Sequence, residues 1–195
     1  LINDISHWVL KETCRQIHEW TDQGYETVRV DINLSGKDFV DKGVLYNFLQ
    51  ILRRQNLQPH QIGVEITENI LLESTEQVIK ALTLLHNAGV HISIDDFGTG
   101  FSSLNYIKQL PLSGIKIDQS FVHEAPSNKD DLVIIQAITL VGHGFGLDVV
   151  AEGVETEWHE SLCKGVGCNT MQGIYVSEPL SAKAFASKFL KRSKT

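Results

Sequence analysis

Six short runs rich in valine and isoleucine recur along the chain, each ending in polar residues and each followed by an amphipathic helical stretch. The runs are Val28–Leu34, Ile62–Ile66, Val90–Asp96, Gly114–Asp118, Leu147–Glu152 and Thr170–Val176. Helical periodicity falls near 1–22, 38–56, 74–88, 102–109, 130–143, 156–166 and 181–192. Strands that alternate with helices predict a parallel sheet covered by helices. A closed (β/α) barrel and an open doubly wound sheet both fit this spacing. A barrel typically needs ~250 residues. The 195 residues would then leave about two strands, or about 55 residues, unaccounted for. The chain opens at Leu1 on a helix whose expected apolar face is Ile5, Trp8, Val9, Ile17 and Trp20, and its one methionine is Met171. The reading is therefore a single α/β domain over 1–195 that lacks its first strands. In the 74–88 helix, Ser74 and Gln77 form an expected capping box and Gly89 an expected left-handed stop.

Composition narrows the function classes. Net charge is −7, so no basic surface points to DNA, RNA or an anionic membrane. No apolar run reaches the ~18 residues of a membrane span. Cys14, Cys163 and Cys168 form no C-x-x-C pair, which disfavours a disulfide framework or a thiolate zinc site and suits a reducing, cytoplasmic setting. The eight histidines lack H-E-x-x-H spacing.

Strand parity then groups the polar residues. Side chains alternate across a strand, so Asn33, Glu65, Asp95, Lys116, Glu152 and Gln172 face away from their apolar neighbours, each near a strand's carboxyl end. Sites in α/β folds are built at that end. Glu65, Asp95, Asp96 and Glu152 gathered around a single Lys116 would need counter-cations. An all-oxygen set of carboxylates and an amide suits Mg²⁺ or Mn²⁺. Two such ions can activate water and clamp a phosphodiester. Asp31 and Asp118 are read more plainly, as a salt-bridge partner or a helix cap. Gly142-His143-Gly144-Phe145-Gly146 leaves a helix and enters a strand, the wrong order for a phosphate loop, so it is read as helix termination. Lys188, Lys191, Arg192 and Lys194 are read as complementing the last helix's dipole.

In order along the chain stand Asn33-Leu34-Ser35, Glu65-Ile66-Thr67-Glu68, Asp95-Asp96-Phe97-Gly98-Thr99-Gly100, Lys116-Ile117-Asp118, Ala151-Glu152-Gly153-Val154-Glu155 and Gln172-Gly173. Together with the Ser102-Ser103-Leu104 and Ser120-Phe121-Val122 flanks, this series resembles the strand-end motifs of the EAL domain family. The resemblance implies a TIM-like (β/α) barrel that hydrolyses cyclic di-GMP to linear pGpG with two Mg²⁺ or Mn²⁺ ions. It implies metal ligation by Asn33, Glu65, Asp95 and Glu152, with Asp95 and Asp96 serving the second ion. It gives catalytic roles to Lys116 near the attacking water, Gln172 as a positioning residue, Glu152, and Glu68 as the brace of the loop after Asp96. Asn33, Asp96 and Glu155 would also face the substrate. A homodimer and an upstream sensory or regulatory domain are implied as partners. The Glu-Ala-Leu signature occurs nowhere in the 195 residues and is expected upstream. A non-catalytic module that binds cyclic di-GMP or a protein partner is the alternative.

Overall fold

The computed structural model describes residues 2–26, 28–35, 38–39, 42–72, 76–100 and 104–192. Its strands are β1 (Val30–Leu34), β2 (Ile62–Thr67), β3 (His91–Phe97), β4 (Gly114–Ile117), β5 (Asp148–Ala151) and β6 (Thr170–Met171). Its helices are α1 (Ile2–Asp22), α2 (Lys42–Arg54), α3 (Asn69–Leu72), α4 (Glu76–Asn87), α5 (Leu104–Gln109), α6 (Gln119–Glu124), α7 (Lys129–Gly144), α8 (Glu157–Val166) and α9 (Ala182–Phe189). β3, β4, β5 and β6 follow one another across the sheet in chain order, paired in parallel. A doubly wound sheet reverses that order at a switch point; this one does not.

The chain divides into two compact units. One holds Leu1–Glu65, Thr75–His91 and Leu180–Thr195, and the other Ile66–Ser74 and Ile92–Pro179. In the first unit, Ile32 and Leu34 are buried on β1 while Asp31 and Asn33 are exposed, as period-two alternation requires. Helix α1 buries Leu10, Cys14, Ile17 and Trp20. Ile5 and Trp8, expected on that face, are instead 53% and 64% exposed. The buried stripe begins one turn later, because Leu10, Cys14 and Ile17 set the i, i+4, i+7 line and Ile5 and Trp8 fall beside it. Gly89 closes α4 at φ 95, as expected; Ser74 lies outside the described residues.

The second unit holds the core of parallel strands. Ile92, Ile94, Ile115, Ile117, Val149 and Ala151 are fully buried. Burying such an aliphatic side chain contributes about 1.5–3 kcal/mol. The pairing of β4 with β5 is regular, Gly114 to Asp148 through Ile117 to Ala151. That of β3 with β4 is not: Ile94 pairs with Ile115 but Phe97 with Ile117, so β3 carries one extra residue at Asp95-Asp96. β6 is two residues long where seven were expected, because the chain turns at Gly173, whose carbonyl accepts from Val176 and Ser177 N–H. Gly142-His143-Gly144 ends α7, and Gly146 turns the chain at φ 71.

Candidate metal and active site

Lys116 is the residue around which the second unit's charges gather. It sits in the middle of β4 between Ile115 and Ile117, only 4% exposed. A buried ammonium demands opposite charge, and two carboxylates supply it. Lys116 Nζ lies 2.8 Å from Asp95 Oδ1 and 2.7 Å from Glu152 Oε1. Glu152 is the first residue past β5, and its N–H donates to Ile117 O at 3.2 Å, which registers it against the end of β4.

Asp96 joins the group through the bulge. Consecutive residues on a regular strand point to opposite faces, so Asp95 and Asp96 could not share one. The extra residue in β3 and a left-handed Asp96 (φ 54) break that rule locally. Ligand oxygens of Asp95, Asp96 and Glu152 then lie within 4.8 Å of one another. Burial raises the Asp96 carboxyl above its ordinary pKa, and the charges of Asp95 and Asp118 push the same way. Three carboxylates with one internal ammonium leave an excess of negative charge, and an all-carboxylate donor set is hard. This cluster can hold a divalent cation.

The surroundings fix the cluster's edges. Asp118 caps α6, accepting from Ser120 N–H at 2.9 Å. It is the plain role foreseen for it, yet it also bears on Asp96. Glu68, 5% exposed, accepts from Gly98 N–H at 2.8 Å and Gly100 N–H at 3.3 Å, so one carboxylate pins the turn after Asp96. Gly98 has φ 103, and a β-carbon there would stand 2.8 Å from the Phe121 ring. Phe101, Ser102 and Ser103 lie outside the described residues.

Past β6, Gln172 N–H donates to Ala151 O at 2.8 Å and Gln172 O accepts from Val154 N–H at 3.0 Å. This backbone pairing sets Gln172 beside the Glu152–Glu155 loop. Gly173 allows it, since a β-carbon there would meet Val154 O at 2.1 Å. Glu155 is exposed; its carboxylate pairs with His123 Nε2 at 3.3 Å and its N–H donates to His159 Nδ1 at 3.2 Å. Burial lowers the His159 pKa, and His123 lowers it further. Neither histidine was singled out in the sequence, because they reach Glu155 from separate helices.

Asn33 and Glu65 belong to the first unit. Asn33 is exposed near the end of β1, and Glu65 is half-buried on β2 between Val64 and Ile66. Asp31 is paired with Arg29 at 2.8 Å, as its plainer reading required.

Residues 1–179 match the EAL domain family model. The chain belongs to the EAL domain family. It is 40% identical over 183 residues to the bifunctional diguanylate cyclase/cyclic di-GMP phosphodiesterase MucR of Pseudomonas aeruginosa, covering 94% of this chain and 27% of MucR. It is 32% identical over 196 residues to the cyclic di-GMP phosphodiesterase PdeR of Escherichia coli, covering 99% of this chain and 30% of PdeR. This EAL chain thus spans between a quarter and a third of the length of these curated relatives. Among solved structures, the MucR phosphodiesterase in complex with c-di-GMP superposes with a TM-score of 0.88 at 39% identity, covering 93% of this chain and 74% of that one. The EAL domain of Mycobacterium smegmatis DcpA superposes with a TM-score of 0.88 at 36% identity, covering 96% and 84%. The fold is the TIM-like α/β fold of EAL domains. No helix among the described residues is long and apolar enough to cross a membrane.

Proposed function

We propose that this EAL domain is a metal-dependent phosphodiesterase that hydrolyses cyclic di-GMP to linear pGpG. The observation that carries the reading is the clustering of Asp95, Asp96 and Glu152 within 4.8 Å, with Lys116 buried against two of them. Phosphodiesterases named for cyclic di-GMP among the relatives give the substrate class. Asp95 and Glu152 would ligate one Mg²⁺ or Mn²⁺, and Asp95 with Asp96 a second. Asn33 and Glu65 are assigned as further ligands on the strength of the family motifs alone. When bound, the ions supply positive charge to the phosphodiester and acidify a water.

The chain's own groups do the rest. Lys116, buried between Asp95 and Glu152, is assigned beside the attacking water, where its positive end would stabilise developing charge. Gln172, tied by its backbone to Ala151 and Val154, offers an amide that would orient the water. Glu68 keeps the turn after Asp96 in place through Gly98 and Gly100. Glu155, held by His123 and His159, is assigned to the substrate side. A cytoplasmic homodimer attached to a sensory or regulatory domain completes the proposal, the attachment being supported by the greater length of the relatives.

The test is Asp95→Asn in the full-length gene product, assayed with cyclic di-GMP and Mn²⁺. An amide cannot supply the charge that holds the ions, so Mn²⁺ binding by calorimetry and pGpG formation should both disappear. Near wild-type turnover in the variant would refute the assignment. Wild-type protein that binds cyclic di-GMP without producing pGpG would instead be a binding module.

A further inference from the structure

Cys163 and Cys168 are brought together by the way α8 ends, away from the carboxylate cluster. Gly167 is left-handed at φ 95; its N–H donates to Lys164 O at 3.2 Å, and Cys168 N–H donates to Cys163 O at 2.9 Å. These are the bonds of a Schellman turn, which packs the side chain after the glycine against the one five residues earlier. Here both of those residues are cysteines, and neither is in a disulfide. Thr139 Oγ1 lies 3.9 Å from Cys168 Sγ and donates its own proton to Ile135 O at 2.8 Å. With Cys168 neutral, its thiol therefore donates to Thr139 Oγ1. Cys163 is fully buried and Cys168 half-buried.

We propose that Cys163 and Cys168 form a modifiable dithiol, converted to an intramolecular disulfide by a low-molecular-weight disulfide such as glutathione disulfide. Reaction begins at the more accessible Cys168. The neighbouring Cys163 thiol holds the Cys168 pKa below the ordinary value, against the opposing effect of burial. The Cys163 thiol is held well above its ordinary value, first by its bond to Cys168 and then by burial, so it stays protonated until a partner sulfur is in place. Cys168 attacks one sulfur of glutathione disulfide, whose S–S bond breaks and releases a glutathione thiolate. The Cys163 proton passes to that thiolate or to water, and Cys163 attacks Cys168 in the mixed disulfide, expelling the second glutathione. Two protein S–H bonds are lost and two glutathione S–H bonds are gained. The chain is oxidised by two electrons and glutathione disulfide is reduced. The new bond would close the turn just before Asn169, whose Oδ1 accepts from Val149 N–H at 2.8 Å, and β6. The third cysteine is an internal control, because Cys14 is fully buried and its thiol is pushed up to about 11.

The folded full-length gene product, equilibrated with glutathione disulfide, provides the test, with reactive thiols mapped by alkylation after unfolding. Within this domain's three cysteines, two should be lost, leaving Cys14 alkylated. Lys164 lies between the pair, so non-reducing tryptic digestion should yield two peptides held together by one disulfide. Cys163→Ser should stop at a stable glutathione adduct on Cys168. Three free thiols in the wild type, or a stable glutathione adduct on wild-type Cys168, would overturn the proposal. The wild-type map decides the matter even if the variant folds poorly.

Discussion

β1 in the first unit and β4 in the second both carry a charged residue inside an apolar strand, yet the two charges meet opposite fates. Asp31 on β1 leans on Arg29 at 2.8 Å, with the two side chains 28% and 36% exposed. Water screens that pair, and such pairs are worth about 0–1 kcal/mol. Lys116 on β4 has a side chain 5% exposed, and its two carboxylate partners have side chains 15% exposed. The ammonium there cannot fall back on water. Strand pattern alone does not make a functional centre; removal of solvent from several charges at once does.

The largest effect should come from breaking that contrast at Lys116. Lys116→Met removes the ammonium paired with both Asp95 and Glu152, leaving two poorly solvated carboxylates close together. Loss of one member of a buried ion pair costs about 3–5 kcal/mol. Hydrolysis in the full-length gene product should also fall by about 10²–10³-fold, the range for losing one positioned donor to developing charge. Arg29→Met, the matching change on β1, should cost no more than about 1 kcal/mol and leave turnover intact. Urea melts and pGpG assays on both variants decide it. Equal losses would dissolve the distinction between the two strands.

Much of this contrast was legible in the sequence, for identifiable reasons. Six valine- and isoleucine-rich runs foretold six parallel strands because such strands are buried on both faces. Parity placed Lys116 opposite Ile115 and Ile117. Parity could not foresee the β3 bulge, since it assumes an unbroken two-residue period, and so it could not explain how Asp95 and Asp96 share a face. α6 was hidden because Gln119–Glu124 is under two turns long and its helix begins at the Asp118 cap rather than with an apolar stripe. The long reading of β6 failed because Ile174, Tyr175 and Val176 look like a strand, while Gly173 and its hydrogen bonds turn them out to solvent. The Cys163–Cys168 contact was invisible to motif spacing, because a Schellman turn rather than a C-x-x-C helix start creates it.

A smaller effect is expected where the second unit holds a loop rather than a charge cluster. Glu68→Gln keeps the shape and one acceptor oxygen but removes the charge that receives Gly98 and Gly100 N–H. Hydrogen bonds to a charged group contribute about 1.5–3 kcal/mol, so part of that should be lost locally. Hydrogen exchange at the Gly98 and Gly100 amides should accelerate, while amides of β4 and β5 keep their protection. Unchanged exchange at both glycines would show that Glu68 does not hold the turn.

The smallest effect is the one whose sign is most informative, at Asp96. Its carboxyl is raised above the ordinary 3.8 by burial and then by Asp95 and Asp118. A raised acid binds its proton more tightly folded than unfolded, so this group lowers stability as pH climbs from about 3.8 through its folded value. Above that value the penalty is constant, and below the unfolded value it vanishes. Asp96→Asn removes the ionisable group, and asparagine is as well suited as aspartate to the left-handed φ of 54. Metal-free Asp96→Asn should therefore be more stable than the wild type at neutral pH, by less than about 1 kcal/mol, because Asp96 is only partly desolvated and water screens its neighbours' charges. That corresponds to a rise of about 1–3 °C in Tm. The advantage should fade in acid, where the wild-type carboxyl is protonated anyway. Saturating Mn²⁺ should reverse the order, since a ligand that binds only the folded state stabilises the better site. Melting both proteins with and without Mn²⁺ at acid and neutral pH resolves the sign. A metal-free Asp96→Asn protein that melts below the wild type at neutral pH would mean the carboxylate is already compensated within the chain. The excess negative charge at the end of β3 would then not be what draws a cation.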